Sequence, residues 1–400
     1  MARRPITTLC PEGWYYVFVI TFILGGAALR GMNLLVILGG ALIGPLLFNW
    51  RLARLMLRRV RVERQLPARV FAGQTVTVSV VLHNDRSVLT SWAVMVEDRI
   101  RRVDTVRLAD ADAIRVMVPC TAPRQSRVGS YRALLSQRGG YRFGPLRVSS
   151  RFPLGLAKAQ MKVNEADQLF LVRPRLGRTT RRWVQVTQQQ QHVGSQRTSR
   201  QHGLLEGDYY GLREWRPGDS QRWIHWRTSA KLGELSVRQF EQQRNRDLTL
   251  ILDLWQPAEP TDADRVVAET AISFLATAVG ETCQRGGTLV TVGVAGETVA
   301  HWSGAASSVL AAEVWDYLAV VRAGQGEVIP EILDRVRHRA HPNSQTLVIS
   351  TRSQAAVGEA DMALAGRDLD RRKLTWIDCS KGEETEFFQL DDSGDAETVG

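Results

Sequence analysis

Two uncharged runs near the N-terminus constrain this chain more than any other feature. No charged residue occurs from Gly13 to Leu29, and after Arg30 none occurs from Gly31 to Trp50. A helix needs about 20 predominantly apolar residues to cross about 30 Å of hydrocarbon, and each run approaches that length. The turn around Arg30 to Asn33 joins them. The pattern predicts a two-span helical hairpin, with Trp14, Tyr15, Tyr16 and Trp50 where interfacial aromatics lie. A cleaved signal peptide would have one apolar core and a small-residue cleavage site, whereas here a second apolar run follows and ends in a basic stop. Two buried helices of a soluble domain are the plainer alternative, but they do not require so long an absence of charge.

Arginines flank the hairpin unequally. Arg3 and Arg4 precede it, Arg51, Arg54, Arg58, Arg59, Arg61 and Arg64 follow it, and only Arg30 lies in the turn. The positive-inside bias then predicts a membrane protein with both termini and the soluble domains in the cytoplasm. Much of the net charge of +11 sits at these flanks, so it is not by itself a sign of nucleic acid. Gly40 and Gly44 form a small-xxx-small pair that suits helix packing, a weak signal in any glycine-containing span. Cys10, Cys120, Cys283 and Cys379 lack the spacing of a zinc or dithiol site and read as free thiols.

The 400 residues allow two or three domains. After the anchor at 1–59, residues 60–175 change to a period of two. Val76, Val78, Val80 and Leu82 alternate with Thr75, Thr77, Ser79 and Val81, and Trp92, Val94 and Val96 begin another such run. Ile114 to Val118, Tyr131 to Leu135 and Leu146 to Val148 are further short strands, punctuated by Gly139-Gly140 and Gly144-Pro145. This predicts a β-sandwich of immunoglobulin-like kind.

The stretch from Arg173 to His202 has seven arginines and no carboxylate, so 176–203 reads as a basic polar linker near anionic head groups. Binding of nucleic acid or anionic lipid through 173–202 is the alternative, although no specific nucleic acid is expected. Over 242–382, the apolar runs Leu248 to Leu252, Thr288 to Val294, Thr346 to Ile349 and Leu374 to Ile377 alternate with helical patterns. The helices are expected at about 262–280, 305–321, 328–339 and 354–368. Such alternation predicts a doubly wound α/β domain. Residues 383–400 read as an acidic disordered tail.

Between these domains, 204–241 interleaves charge with aromatics. Asp208, Arg213, Trp215, Pro217, Gly218, Asp219, Arg222, His225, Trp226 and Arg227 are its candidate interaction residues. Pro217-Gly218 is a turn pair, and Asp219 is placed to cap a helix that runs towards Lys231 and stops at Gly233. Trp223, Trp226 and Ala230 would share one buried face, while Arg213, Arg222 and Arg227 would pair with Asp208, Glu214 or Asp219. An enzyme acting on an anionic substrate through Asp208, Asp219, His225 and the arginines is the sharper alternative. No serine or cysteine nucleophile is identifiable beside them, and a histidine between two tryptophans more often packs or caps a helix. There is no phosphate-binding loop or dinucleotide fingerprint, so ATP-dependent work would fall to a partner.

The sequence GDYYGLREWRPGDSQRWIHWRTSAKLGEL resembles the signature of the bacterial family of domain of unknown function 58, and Arg151-Phe-Pro-Leu-Gly-Leu156 and Val172-Arg-Pro174 resemble landmarks before it. The resemblance covers most of the chain. It implies a two-span hairpin, a β-rich segment, a domain similar to von Willebrand factor type A, and association with MoxR-type AAA+ ATPases. It implies no known reaction. Von Willebrand-like domains often hold a divalent metal on an Asp-x-Ser-x-Ser loop. Here the loop reads Asp253-Leu-Trp255-Gln-Pro257, keeping one ligand of the pattern, so neither a metal nor another cofactor is expected. The combined expectation is a membrane-anchored, non-enzymatic interaction or scaffold protein that assists a MoxR-type ATPase in assembling or maturing protein complexes.

Overall fold

A computed structural model describes residues 5–103, 113–163, 168–189, 209–216, 219, 221–240, 247–326, 329–337, 345–357 and 374–391. Asp208, Pro217 and Gly218, residues 190–203 and the tail after Asp391 lie outside the described residues. The chain divides into two compact units. One comprises Met1–Leu176, Trp315–Val320 and Asp391–Gly400, the other Gly177–Val314 and Val321–Leu390.

The first unit opens with a short strand, β1 (Ile6–Leu9), followed by α1 (Pro11–Arg30) and α2 (Asn33–Met56). Both helices are long and apolar enough to cross a membrane. Gly31 ends α1 in the left-handed region at φ 63°, where glycine is unstrained. The helices then run back along each other: the Tyr16 hydroxyl donates to the Leu42 carbonyl at 3.0 Å, and a side chain at Gly39 would collide with Leu24.

Leu57, Arg58 and Arg59 alone separate α2 from β2 (Val60–Gln65). The junction is clamped by Arg86, whose guanidinium donates to the carbonyls of Leu55 at 2.6 Å and Met56 at 3.4 Å. These are last-turn carbonyls that a helix cannot satisfy internally. Burial disfavours the charged form of Arg86 and lowers its pKa from the ordinary value.

The chain continues through β3 (Thr75–Asn84), β4 (Ser91–Arg102), β5 (Ala113–Thr121), β6 (Ser126–Leu134) and β7 (Gly139–Phe143), then β8 (Arg147–Ser150), β9 (Ala157–Lys162) and β10 (Gln168–Val172). All pairings here are antiparallel. One sheet has the order β2-β3-β6 and the other β1-β9-β8-β4-β7-β10, with β5 also on β4. They contribute to one core, with Val62, Val78 and Leu82 from the first sheet and Val94, Phe143 and Val148 from the second.

Alternation places these side chains inward, and in β2 it places Arg64 inward as well. Arg64 donates two hydrogen bonds to Asp98, at 2.8 and 2.6 Å, and Tyr131 donates a third at 2.7 Å. Gly139-Gly140, expected as a turn, instead begins β7 and pairs with β10. The Val103 side chain lies 3.3 Å from where a Cβ of Gly140 would sit, so a backbone without side chains allows this close approach.

The second unit begins with β11 (Gly177–Thr179) and α3 (Arg181–Gln189), followed by β12 (Tyr209–Glu214), α4 (Trp226–Leu232) and β13 (Ser236–Phe240). Then come β14 (Leu248–Asp253), α5 (Asp262–Arg285), β15 (Leu289–Ala295), β16 (Val299–Ala305), α6 (Ser308–Val320, of which this unit holds the part up to Val314), α7 (Ile329–Arg337), β17 (Gln345–Ser350), β18 (Leu374–Asp378) and β19 (Phe388–Leu390). The five-stranded sheet has the order β16-β15-β14-β17-β18 and is parallel except for β16. β14 and β17 are buried at every residue, as strands covered on both faces must be. On one face, Ile332, Leu333 and Val336 of α7 pack with Ile251 and Val348. α5 is apolar and long enough to cross a membrane, but it lies mostly buried within this unit and starts at a Thr261/Asp264 capping box.

Two expectations are corrected here. The expected linker over 176–203 is folded at 177–189, and the expected tail over 383–400 is folded as far as Asp391. β11 pairs with β19, and Thr179 Oγ1 donates to Glu281 of α5 at 2.6 Å. A few apolar residues in otherwise polar stretches hold these segments down. Trp183 meets Phe274 edge-on with centroids 5.2 Å apart, and Phe388 stacks on Phe274 at the same separation. In addition, the helix expected from residue 305 is preceded by β16, an antiparallel edge strand that the sequence reading missed.

Candidate functional site

The signature folds as a hairpin with an insertion. β12 and β13 pair antiparallel, with Arg213 opposite Val237 and Glu214 opposite Ser236. Between them lie a 3₁₀ turn at Gln221–Trp223, a one-residue bridge from Ile224 to Val237, and α4. Ser229 ties helix to strand: its hydroxyl donates to His225 O at 3.2 Å and accepts from the Ser236 amide at 2.8 Å.

The expected helix from Asp219 to Lys231 is corrected: α4 is shorter and His225 caps it. His225 Nδ1 accepts from the Thr228 amide at 3.3 Å and lies 2.8 Å from Thr228 Oγ1. Gly233, at φ 76°, ends the helix as expected.

Asp219 is not available as a cap because Arg213 engages it. Arg213 donates to both carboxylate oxygens at 2.7 Å, and the Arg216 amide adds a third bond at 2.9 Å. The bidentate hydrogen bond from Arg213, above all, holds the Asp219 carboxyl below the usual carboxylate range. Trp215 Nε1 donates to the Asp219 carbonyl at 3.3 Å, so Trp215 braces the same turn.

The aromatic stripe expected to be buried is not. Trp223 is half-buried, whereas Trp226 is 66% exposed and Ala230 is exposed with it. Starting the helix at Trp226 instead of Asp219 turns this face outward. Arg222 and Arg227 are exposed and form no ion pair among the described residues. His225 and Asp219 are each held by other partners, and no hydrogen bond joins them.

A second constellation lies at the carboxyl ends of the parallel strands. The chain crosses from β14 to β15 on one side and later reaches β17 on the other, which makes this end the topological switch point where open α/β sheets bind ligands. Asp253 ends β14, and its Oδ2 accepts from Ser350 Oγ at 2.8 Å and from Arg352 Nε at 3.0 Å. The Asp253 and Arg352 side chains are 4% and 6% exposed. Arg352 also lies over the Trp255 ring at 5.4 Å, and its carbonyl accepts from Trp376 Nε1 at 3.2 Å.

These residues do not fit the divalent cation that the loop resemblance raised. A guanidinium already faces the retained carboxylate, and Trp255 and Pro257 offer no oxygen side chain. Among the described residues, no group of three or more His, Cys, Asp and Glu could hold a metal ion. Ser350 and Arg352 were missed by sequence reasoning. The only signal was the polar Ser350-Thr-Arg352 following an apolar strand run.

Residues 211–362 match the family described as "Protein of unknown function DUF58". The chain carries a DUF58 region over these residues. The DUF58 region holds most of the signature hairpin and the switch-point constellation. A curated relative, the uncharacterized protein YeaD of Bacillus subtilis (strain 168), is 26% identical over 230 residues. That alignment covers 57% of this chain and 55% of YeaD, so the chain spans about half the length of this relative.

Among solved structures, the CARDB domain of PF1109 from Pyrococcus furiosus is 14% identical. It covers 26% of this chain and 92% of that domain, at a TM-score of 0.17. The Pseudomonas fluorescens alkylpurine DNA glycosylase AlkC, bound to DNA containing an abasic site analog, is 15% identical. It covers 37% of this chain and 42% of AlkC, at a TM-score of 0.19. Both likenesses are too slight to bear on fold or function.

Proposed function

We propose that this protein is a membrane-anchored, non-enzymatic interaction protein whose signature hairpin offers a docking surface to a MoxR-type AAA+ ATPase. In this reading both units face the cytoplasm from the bacterial inner membrane. The antiparallel sheets are immunoglobulin-like, the parallel sheet is von Willebrand factor A-like, and the ATPase supplies the energy for assembling or maturing a protein complex. The carrying observation is Trp226. A large aromatic side chain that is 66% exposed, with the exposed arginines Arg222 and Arg227 nearby in sequence, has the composition of an interface hot spot. Two further observations support the reading. His225 is engaged as a helix cap, and Asp253 is neutralised by a buried arginine, so the residue types that suggested chemistry have structural roles.

Co-expression with a MoxR-type ATPase, followed by solubilisation in detergent and affinity capture of the full chain, tests this. Trp226→Ala and Arg222→Ala should each abolish recovery of the ATPase while leaving circular dichroism and elution volume unchanged. Unchanged recovery with both folded variants would reduce the signature to a structural role. His225→Asn separates the enzymatic alternative: loss of a cellular phenotype with ATPase recovery intact would favour catalysis over docking.

A further inference from the structure

The motif Arg151-Phe-Pro-Leu-Gly-Leu156 links β8 to β9 and has no part in the signature hairpin. Within the first unit this loop meets the outer ends of both apolar helices. The Cys10 amide donates to the Leu156 carbonyl at 3.0 Å, and a side chain on Gly13 of α1 would collide with that same carbonyl. On α2, Asn49 is fully buried. Its Oδ1 accepts from the Ala157 amide at 2.8 Å, and its Nδ2 donates to the Arg151 carbonyl at 3.5 Å. The loop is therefore fixed in depth relative to the hairpin.

That depth can be read from the helices. The 20 residues of α1, at about 1.5 Å per residue, make about 30 Å, the thickness of the hydrocarbon. Gly13 lies in the first turn of α1, beside Trp14, and Asn49 adjoins Trp50. The loop thus sits level with the aromatics that mark a membrane interface.

Its side chains suit that level. Leu154 is 53% exposed, and Phe152 stacks on Trp92, itself 46% exposed, with centroids 6.1 Å apart. Arg51, Arg54 and Arg151 are exposed around it, as anionic head groups would require. Apolar tips beside cations, at interface depth and continuous with two spans, fit a lipid surface better than water.

From this we infer that the Arg151–Leu156 loop is a third membrane contact, with Leu154 and Phe152 seated at the head-group boundary of the bilayer that the hairpin crosses. The inference rests on the reading of α1 and α2 as spans, and the following experiment separates the two. The full chain carries Cys120→Ser, because Cys120 is the native thiol that is not buried. It is reconstituted in vesicles of phosphatidylethanolamine and phosphatidylglycerol. Nitroxide labels are placed singly at Leu154→Cys, Phe22→Cys and Leu134→Cys, and collision with oxygen and with a water-soluble nickel chelate is measured.

Leu134 pairs with Thr75, at the end of β3 away from the α2 junction, and serves as the aqueous reference. The ratio of oxygen to chelate collision should be several-fold higher at 154 than at 134, and lower than at 22. A label at 154 that matches 134 while 22 is deep overturns the loop contact and leaves the spans standing. A label at 154 shielded from both reagents means that protein covers the loop, which also overturns the inference. A label at 22 that behaves as aqueous removes the spans and the loop contact together.

Discussion

Arg352 donates from Nε to Oδ2 of Asp253 across 3.0 Å, and the two residues lie 99 positions apart at the ends of adjacent parallel strands. The pair joins β14 to the turn after β17 at the point where a sheet of this topology would otherwise present a ligand crevice. Desolvating two charges is costly, and the pair compensates for this only while both members are present.

Removing one member should therefore be severe. Arg352→Ala leaves the Asp253 carboxylate without its buried countercharge and should cost about 3–5 kcal/mol. Replacing both with apolar residues, as in Asp253→Leu with Arg352→Met, should cost less than the single change. Hydrogen exchange at the β14 and β17 amides would measure both, and equal protection in parent and Arg352→Ala would refute the structural role.

The Arg213–Asp219 pair predicts a pH dependence with a definite sign. The Asp219 carboxyl is held below its ordinary value of 3.8, chiefly by the hydrogen bonds from Arg213. A depressed carboxyl contributes stability that is fully present above the unfolded-state value and is lost as pH falls through the folded one. Asp219→Asn should thus destabilise the hairpin at neutral pH, and its difference from the parent should disappear below the ordinary carboxylate range. A difference that persisted unchanged at low pH would argue against the pairing.

His225 offers a test of capping. His225→Ala removes an acceptor for the Thr228 amide and should weaken α4 by about 0.5–2 kcal/mol, the range for lost N-caps. His225→Asn and His225→Ser should recover most of this loss, because either side chain can accept the same amide. The readout is exchange at Thr228 and Ser229. Failure of both replacements to protect those amides would count against the cap.

Tyr131 gives a complementary prediction at alkaline pH. Burial, reinforced by the hydrogen bond to Asp98, pushes its phenol well above the ordinary value of 10.0. A raised pKa contributes stability that is present below the unfolded-state value and is lost as pH rises towards the folded one. Tyr131→Phe should remove part of the alkaline destabilisation of the first unit, and it should cost about 1–3 kcal/mol at neutral pH by taking a donor from buried Asp98. Identical alkaline unfolding curves would dispose of this prediction.

What the sequence disclosed and what it withheld have physical causes. The two apolar helices and the parallel strands follow from uncharged runs such as Leu248–Leu252, because a helix apolar enough to cross a membrane or a strand covered on both faces tolerates little charge along its length. The alternation of β3 was equally legible. Arg352 was not, because its partner is distant in sequence and no periodicity links them. α4 was misjudged for a competitive reason. Asp219 is a good N-cap in isolation, but Arg213 holds it in a bidentate pair, and the helix starts later at the less usual cap His225. That shift exposes Trp226. The folding of 177–189 and 383–391 depends on Trp183 and Phe388, apolar residues in otherwise polar stretches whose partner Phe274 lies on another element.

The junction between α2 and β2 has a mechanical consequence. A swivel needs backbone that can change its torsions without breaking contacts, and here three residues connect helix to strand while Arg86 grips the final carbonyls. Hydrophobic mismatch changes the tilt of a membrane span. If α2 crosses the bilayer as proposed, so little slack would carry such a tilt as torque into the antiparallel sheets, and their orientation would follow the thickness of the bilayer.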